Sequence, residues 1–300
     1  MRIFMTGASG WIGSAVVPEL LASGHEVVGL ARSEAAATRL RTLGVTAHPG
    51  SLEDVDSLRS GARSADGVVH LAFGHDFTRY AEAGRTERAV VTALGAELAG
   101  SERALVIAAG IFPVGTGRPL TEDDRLPQSG PDTARGGSEQ VALDLAERGV
   151  RSVSVRLAPT VHGPGDQGFT SMLVDIAHQQ GAALYPGAGA NRWTAVHRLD
   201  AARVVARALD AATAGSAVHA VAEESVTTRE IAETIGHRFG LPTASFPPEE
   251  ATERLGFAGN LLTLDAPASS GRTRASLGWT PREPGLLEDI SSGAYDPPTA

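Results

Sequence analysis

The start of the chain carries the pattern that most restricts its fold: an apolar run, then evenly spaced glycines, then a helical pattern. The apolar run ends at Met5, and Gly7, Gly10 and Gly13 follow at regular spacing. Apolar residues then recur at helical spacing as far as Ser23. This order of strand, glycine turn and helix predicts a loop on which a dinucleotide pyrophosphate meets the helix N-terminus. The residues expected to contact it are Gly7, Ser9, Gly10, Trp11, Ile12 and Gly13.

The residues after the second predicted strand, over 25–30, indicate which dinucleotide is bound. A free ribose 2′-hydroxyl calls for an acid about 20 residues past the glycines, but the sequence there reads Ala31, Arg32, Ser33. A guanidinium forms charge-assisted hydrogen bonds to a 2′-phosphate, worth about 1.5–3 kcal/mol. The sequence therefore predicts NADP(H) in preference to NAD(H), with Arg32 and Ser33 at the phosphate. The alternative is that Arg32 is a solvated loop charge.

Strand-like and helix-like runs alternate through the first half of the chain. Strands are predicted over 45–48, 67–71, 104–108 and 150–157. Helices are predicted over 51–59, 85–99 and 136–148. This alternation predicts an α/β fold with a doubly wound parallel sheet, of the Rossmann type, whose ligand binds at the carboxyl ends of the strands.

The second half of the chain has a looser pattern that is richer in glycine and proline. We expect residues 1–158 to form a dinucleotide-binding domain, to which residues 194–222 return. Residues 159–193 and 223–300 are expected to form a small C-terminal substrate lobe. A pocket between this lobe and the sheet is then the expected binding site.

The composition excludes several kinds of site. The chain has no cysteine, which rules out disulfides, thiolate metal ligands and cysteine nucleophiles, and no metal site is expected. Its basic residues are all arginines, so any mechanism that needs a lysine amine is impossible. A net charge of −9 without an arginine cluster argues against a nucleic-acid partner. No apolar run reaches the roughly 18 residues of a membrane helix, so no membrane partner is expected.

The composition and the start of the chain also suggest a setting for the protein. The first strand begins at residue 2, which leaves no space for a secretory signal, so a cytoplasmic location is expected. The absence of lysine and the many alanines and glycines are typical of a GC-rich genome and predict a bacterial source. A small-molecule substrate is the expected partner, and a homodimer is one option for the assembly.

Several segments, in order along the chain, resemble the extended and atypical short-chain dehydrogenase/reductases, the group that includes NAD-dependent epimerase/dehydratases. Residues 6–13 resemble the family's glycine loop, and residues 70–72 resemble the segment after the fourth strand that lines the cofactor. Residues 156–165 resemble the stretch that ends the sixth strand, and residues 196–200 resemble the segment that ties the substrate lobe to the sheet. The resemblance implies further cofactor contacts at Ser51, Leu52, Leu71, Ala72, Phe73 and Ala109.

The catalytic residues of that family are missing from their expected positions. Family oxidoreductases use a Ser or Thr, a Tyr and a Lys, but residues 106–110 carry alanine where the hydroxyl is expected. If Glu139 is the family's helix glutamate, Pro131 stands at the Tyr position and Arg135 at the Lys position. Neither can transfer a proton as a phenol beside an ammonium does. The three tyrosines, Tyr80, Tyr185 and Tyr295, have no such partner.

Other side chains are candidates for proton transfer and substrate contact. His162, in the loop after the sixth strand, is a candidate acid or base, or else it holds that loop by hydrogen bonding. His75, next to Asp76, is a second candidate, although adjacent residues do not face each other in regular structure. Tyr185 is a third, and with Trp193 it could stack on a flat substrate, although packing is the commoner role of an aromatic ring. The expected substrate contacts are Gly110, Ile111, Arg135, His162, Tyr185 and Trp193.

Three functions are compatible with these residues. The first is an NADP(H)-dependent oxidoreductase for a small organic carbonyl or alcohol, with His162, Tyr185 or water supplying the proton. The second is an isomerase, dehydratase or cyclase without net redox chemistry. The third is a non-catalytic NADP(H) sensor. The fold does not decide among them, and the intact glycine loop places the oxidoreductase first.

Overall fold

The structure is a computed structural model that describes residues 1–74, 79–113, 117–126 and 130–296. Its central sheet contains β1 (Arg2–Thr6), β2 (Glu26–Ala31), β3 (Thr46–Pro49), β4 (Gly67–His70), β5 (Ala104–Gly110), β6 (Arg151–Leu157) and β10 (Ser216–Ala220). All seven strands are parallel, in the order β10-β6-β5-β4-β1-β2-β3. The strand order reverses between β1 and β4, which confirms the predicted doubly wound fold.

Helices cover both faces of this sheet. They are α1 (Gly13–Ala22), α2 (Glu34–Thr42), α3 (Val55–Arg63), α4 (Tyr80–Leu98), α5 (Ser138–Asp144) and α7 (Arg198–Ala211). One apolar core joins α1, α2 and α7 to the sheet, and a second joins α3, α4 and α5 to its other face. Strands enclosed on both faces need continuous apolar runs, and the residues at the centre of β1, Ile3, Phe4 and Met5, are fully buried.

Two helices begin away from their predicted positions. The first turn of α3 starts at Val55 rather than at 51, because the Asp54 carboxylate accepts a hydrogen bond from the Ser57 N–H at 3.1 Å and caps the helix. The start of α4 is Tyr80 rather than 85. This earlier start carries α4 back to the carboxyl edge of the sheet, where β4 ends.

The helix predicted over 136–148 is shorter in the structure. The α-helical part is α5, and 3₁₀ turns flank it at Ala134–Gly137 and Leu145–Arg148. Gly137 has a left-handed φ of 62°, which an α-helix does not accommodate. Arg135 therefore lies in a turn ahead of α5 rather than inside a helix.

The remaining elements form two smaller sheets and their helices. They are β7 (Thr160–His162), α6 (Phe169–Gln180), β8 (Ala183–Pro186), β9 (Arg192–His197), β11 (Glu223–Thr227), α8 (Thr228–Phe239), β12 (Thr243–Phe246), α9 (Ala251–Leu262), α10 (Gly271–Leu277) and α11 (Leu286–Ser292). The smaller sheets have the orders β11-β9-β7 and β12-β8. A third apolar core, with Leu173, Trp193, Ile231 and Leu286, lies among these elements.

The predicted domain boundaries stay a prediction. Within the described ranges, no helix combines the length and apolar character needed to cross a membrane.

Candidate active site

The glycine loop joins β1 to α1 at the carboxyl edge of the sheet, and two of its glycines leave no room for a side chain. Gly7 has a left-handed φ of 73°, and a Cβ there would lie 2.7 Å from the Ala72 amide nitrogen. A Cβ on Gly13 would lie 2.0 Å from the Gly7 carbonyl oxygen. Glycine at both positions allows this turn to pack closely against α1 and the end of β4.

The outer side of the loop carries backbone N–H groups that have no backbone acceptor. Gly10 is exposed and Ser9 is half-buried. Within the part of the chain that the structure describes, the N–H groups of Trp11 and Ile12 donate to no backbone oxygen. They stand at the N-terminus of α1, where the helix dipole favours negative charge. The turn therefore fits a pyrophosphate group, which can approach the backbone at Gly10.

The Trp11 side chain connects this loop to the second half of the chain. Its indole N–H donates to the Val161 carbonyl at 2.8 Å. The Arg198 guanidinium lies 4.4 Å from the centre of the indole ring, within cation–π range. Because the ring is occupied in this way, Trp11 offers a ligand its backbone N–H rather than its indole face.

The end of β2 carries the two residues that the sequence assigns to a 2′-phosphate. Arg32 is exposed, and its guanidinium has no ion-pair partner among the described residues. Ser33 caps α2, because its Oγ accepts a hydrogen bond from the Ala36 N–H at 3.2 Å. The acid next in sequence, Glu34, pairs with Arg41 at 2.8 Å. A cation rather than a carboxylate is therefore available at this strand end.

The other predicted cofactor contacts follow neighbouring strands at the same edge. Ser51 and Leu52 come after β3, and residues 71–73 come after β4. The Ala72 N–H donates to Thr6 Oγ at 3.3 Å, which fixes the end of β4 beside the end of β1. Ala109 lies near the end of β5 and is buried. The structure thus brings the predicted set together along one edge of the sheet.

A small cleft opens beyond the carboxyl end of β5. It is lined by Ala109, Gly110, Phe112, Leu126, Arg135, Gly137, Ser138 and Glu139. Two of the predicted substrate contacts, Gly110 and Arg135, are among these residues. A third, Ile111, is buried, and its N–H donates to the Leu157 carbonyl at 2.9 Å. The cleft lies at the strand ends where doubly wound folds bind their ligands.

Arg135 brings a fixed cation to this cleft. Its φ is 58°, a left-handed value that non-glycine residues rarely adopt. One terminal nitrogen donates to the Glu87 carboxylate at 3.1 Å and to the Ala108 carbonyl at 2.9 Å. The guanidinium lies 4.1 Å from the centre of the Phe73 ring. Its Nε is buried and has no hydrogen-bond partner among the described residues, so donor capacity is left unused.

Glu87 and His70 continue the Arg135 contact into the interior. Glu87 lies 3.2 Å from His70 Nε2, and His70 Nδ1 lies 2.6 Å from Thr6 Oγ. Burial acts to raise the pKa of Glu87, but the neighbouring His70 and Arg135 outweigh it and hold that pKa below its ordinary value. We refer to Arg135, Glu87 and His70 as the cleft triad. The contact between His70 and Thr6, which directly precedes Gly7, joins the cleft to the glycine loop.

A second Arg–Glu–His group lies deeper in the sheet. Arg156 Nε donates to Glu139 at 2.7 Å, and a terminal nitrogen of Arg156 lies 3.3 Å from His219 Nε2. The Ser154 hydroxyl also donates to Glu139, at 2.6 Å. Arg156 and His219 are fully enclosed, and burial lowers the pKa of the His219 imidazole. We refer to Arg156, Glu139 and His219 as the core triad, of which Glu139 alone borders the cleft.

His162 lies beneath α11 and does not line the cleft. Its side chain is fully buried, and Nδ1 lies 2.6 Å from the Asp289 carboxylate. The His197 ring stands 5.6 Å away, centre to centre. This placement favours the hydrogen-bonding role among the two that the sequence leaves open. Among the described residues, no three histidine, aspartate or glutamate side chains group as metal ligands.

The remaining sequence candidates lie apart from Arg135. Trp193 is buried and packs against Phe169, with ring centres 6.4 Å apart. Tyr185 is half-buried in β8, where the Arg229 guanidinium lies 5.0 Å from its ring centre. Neither residue lines the cleft. His75 lies outside the described residues.

The sequence did not indicate that Tyr80 shares a contact residue, Phe73, with Arg135. It is the first residue of α4, and its ring centre lies 5.6 Å from that of Phe73. Arg135 covers the same Phe73 ring. The available signal was topological, since a helix that follows a strand of a doubly wound sheet begins beside the carboxyl edge. Placing the start of this helix at 85 left Tyr80 in a loop.

Comparison with known proteins identifies the family. The family model described as the NAD dependent epimerase/dehydratase family matches residues 3–222. The match runs from β1 through β10 and includes the glycine loop and the cleft. The chain belongs to this family, whose members bind NAD(P).

Similar proteins occur in two yeasts. The chain is 46% identical to an uncharacterized protein of Schizosaccharomyces pombe, over 98% of this chain and 100% of that protein. It is 40% identical to an uncharacterized protein of Saccharomyces cerevisiae, over 97% of this chain and 98% of that protein. The predicted bacterial source is therefore wrong. It rested on the absence of lysine and the many small residues, and these follow base composition rather than lineage.

A solved structure shares the fold. The UDP-glucose 4-epimerase of Thermus thermophilus, in complex with NAD, superposes with a TM-score of 0.71 over 98% of each chain. The two sequences are 22% identical. At this identity the likeness shows the fold, and the function has to be argued from the site.

Proposed function

We propose that the protein is an NADP(H)-dependent oxidoreductase that acts on a small organic carbonyl or alcohol. The observation that carries this proposal is the placement of the glycine loop and the Arg135 cleft on one edge of the sheet. The Thr6–His70–Glu87–Arg135 contacts join the two. If the loop holds the pyrophosphate of a dinucleotide, the nicotinamide half of that dinucleotide would extend toward the cleft, as the topology of such sheets favours.

The residues present fit the cofactor. The turn at Gly7 and Gly13 admits no side chain, and the exposed Gly10 leaves the backbone open to a pyrophosphate. When bound, the nicotinamide supplies or accepts a hydride. The protein's part is to hold the substrate carbonyl in the cleft, to provide a cation near it at Arg135, and to supply a proton.

The preference for NADP(H) rests on the end of β2. Arg32 is exposed and unpaired among the described residues, and Ser33 follows it. Glu34 is engaged by Arg41, so its charge is partly compensated. A 2′-phosphate would gain charge-assisted hydrogen bonds here that a 2′-hydroxyl cannot make.

Three arginines of the second half of the chain support a small substrate rather than one carrying a diphosphate. A diphosphate needs free cations, and the guanidinium groups of these three are engaged by protein groups. Arg192 pairs with Asp265 at 2.7 Å, and Arg229 donates to the Ala188 carbonyl at 3.0 Å. The Arg238 guanidinium binds Asp296.

A cofactor titration tests the proposal directly. NADPH and NADH are added to the purified protein and binding is followed by cofactor fluorescence. We expect tighter binding of NADPH, and Arg32→Ala should weaken NADPH by about 10- to 100-fold, the range of a charge-assisted hydrogen bond, while NADH changes little. The exposed Arg39 of α2 gives a matched control, since Arg39→Ala should alter neither affinity. Equal losses for both cofactors would reject the 2′-phosphate assignment.

A carbonyl screen, followed by NADPH absorbance, tests the redox step. Steady loss of absorbance with a carbonyl substrate supports the oxidoreductase. Substrate conversion at constant absorbance would instead identify an isomerase, dehydratase or cyclase, and cofactor binding without any conversion would identify a sensor.

The cytoplasmic location and the homodimer stay predictions.

A further inference from the structure

Tyr80 and the Arg135 guanidinium, which borders the cleft, both contact the Phe73 ring. The Phe73 ring follows β4, and it contacts Tyr80 on one side and the Arg135 guanidinium on another. Tyr80 also faces Phe257 of α9, with ring centres 6.4 Å apart. The ring of Tyr80 is therefore held between the carboxyl edge of the sheet and the second half of the chain.

Two charged groups of the cleft triad act on the Tyr80 phenol. Burial raises the pKa of the Tyr80 phenol, Arg135 acts to lower it, and Glu87 acts to raise it. The phenol therefore senses the arginine that occupies the family's lysine position. A phenol and a fixed cation that share contact with Phe73 supply the two chemical groups of the Tyr–Lys pair that the sequence lacks at positions 131 and 135.

The other two tyrosines have different surroundings. Tyr185 stacks with Arg229 in the second half of the chain. The Tyr295 hydroxyl donates to Asp166 at 3.1 Å, and burial with the nearby Asp166 carboxylate raises the pKa of Tyr295 far above its ordinary value. Neither ring contacts Phe73 or Arg135 in the described structure. They serve as internal comparisons for Tyr80.

We propose that Tyr80 is the proton donor of the reaction and that Arg135 is the positioning residue that stabilises its phenolate. This inference rests on the proposed oxidoreductase function. In the reduction, the carbonyl carbon gains a hydride from the reduced nicotinamide and the carbonyl oxygen gains the phenolic proton. The products are the alcohol, the oxidised nicotinamide and the Tyr80 phenolate, which regains a proton from water.

This arrangement favours reduction over oxidation near neutral pH. A phenol with a raised pKa is protonated at pH 7, which is the form that donates to a carbonyl oxygen. Alcohol oxidation needs the phenolate as the base, and this form becomes abundant only in alkaline solution. We expect carbonyl reduction at pH 7 and alcohol oxidation that increases as the pH is raised.

Replacing Tyr80 by phenylalanine removes the proton and keeps the ring contacts with Phe73 and Phe257. We expect Tyr80→Phe to lower kcat by about 10²- to 10⁴-fold, the usual effect of losing a general acid, with NADPH affinity within about twofold of wild type. Tyr295→Phe is the matched control and should keep full turnover, because the Tyr295 hydroxyl donates to Asp166 away from Phe73 and Arg135. Unchanged kcat in Tyr80→Phe would overturn the inference and leave the proposed function standing.

A second measurement needs no cofactor. The ultraviolet phenolate titration of wild type minus that of Tyr80→Phe isolates the Tyr80 phenol. Arg135→Gln should move this titration to higher pH, and Glu87→Gln should move it to lower pH, because each removes a charge of known sign. A titration that Arg135→Gln leaves in place would show that the pair is not coupled and would overturn the role of Arg135. Wild-type protein that oxidises no NADPH with any carbonyl would reject the proposed function, and the donor role of Tyr80 with it.

Discussion

The cleft triad and the core triad contain the same three residue types but differ in how the arginine is satisfied. In the core triad, Arg156 meets Glu139 through Nε and a terminal nitrogen, and its side chain is 1% exposed. In the cleft triad, Arg135 meets Glu87 through one terminal nitrogen, and its side chain is 18% exposed. The first arginine lies within a strand, whereas the second lies in a turn ahead of α5.

The difference separates a group that stabilises the fold from a group that can act on a ligand. A two-point Arg–carboxylate pair fixes geometry as well as charge. The N–H groups of Arg156 are directed at other residues of the protein. Arg135 keeps a buried Nε without a partner among the described residues, and it borders a cleft. Residue type alone does not distinguish the two groups. They differ in how many N–H donors of the arginine have a partner and in how far the arginine is exposed to solvent.

The largest expected effect is on the core triad. Arg156→Gln leaves the Glu139 carboxylate buried without its cation, and removing one partner of a buried pair costs about 3–5 kcal/mol. We expect this loss in the free energy of unfolding, measured by urea denaturation with circular dichroism. A loss below about 1 kcal/mol, the value of an exposed pair, would show that the core triad does not stabilise the fold more than a surface ion pair does.

A smaller loss of stability is expected in the cleft triad. Arg135→Gln removes a hydrogen bond to a charged group, worth about 1.5–3 kcal/mol, while His70 still contacts the Glu87 carboxylate. The same denaturation series measures it, with Arg39→Gln at the exposed Arg39 of α2 as a control for the loss of an arginine. If Arg135→Gln were as destabilising as Arg156→Gln, the cleft triad would be structural in the same sense as the core triad.

The smallest expected effect is on the pH dependence of stability. His219 has a lowered pKa in the fold, so the unfolded chain binds its proton more readily. The His219 contribution is therefore complete above about pH 6.5, the ordinary pKa of histidine, and is lost as the pH falls. One such group changes the free energy of unfolding by at most about 1.4 kcal/mol per pH unit.

His219→Gln should accordingly reduce the slope of stability against pH below about 6.5. The lowered pKa of Glu230 in α8, caused by hydrogen bonds from Thr227, acts in the same direction but at lower pH, because an ordinary glutamate is half protonated near pH 4.5. Glu230→Gln should therefore leave the slope between about pH 5.5 and 6.5 unchanged. Thermal unfolding across this pH range measures both variants. A His219→Gln slope equal to that of wild type would show that the core triad does not titrate in this range.

The parts of the site that depend on local sequence could be predicted, and the parts that depend on long-range contacts could not. The glycine loop was predictable because its turn, its helix start and its close packing are set by neighbouring residues. Arg135 was located by its spacing from Glu139. Its partner Glu87 was not, because α4 brings that residue from a separate segment of the chain.

The differences between the expected and the observed positions of these residues have physical causes of the same kind. His162 follows a strand of the predicted sheet, but it lies beneath α11, whose docking no local pattern reveals. Trp193 and Tyr185 are separated from the cleft by the packing of the second half of the chain. Tyr80 escaped notice because the predicted helix start was too late, and a helix start decides which residues stand at the edge of the sheet.

The backbone of Arg135 has a consequence for how this position tolerates change. A left-handed conformation costs a residue with a Cβ about 1–2 kcal/mol, and glycine adopts it without that cost. Two glycines follow at 136 and 137, and Gly137 has a left-handed φ of 62°. The hydrogen bond from Arg135 to the buried Glu87 carboxylate, worth about 1.5–3 kcal/mol, outweighs this gain, so a library sorted for thermal resistance would retain arginine at 135. At this position the backbone favours glycine and the side-chain contacts favour arginine.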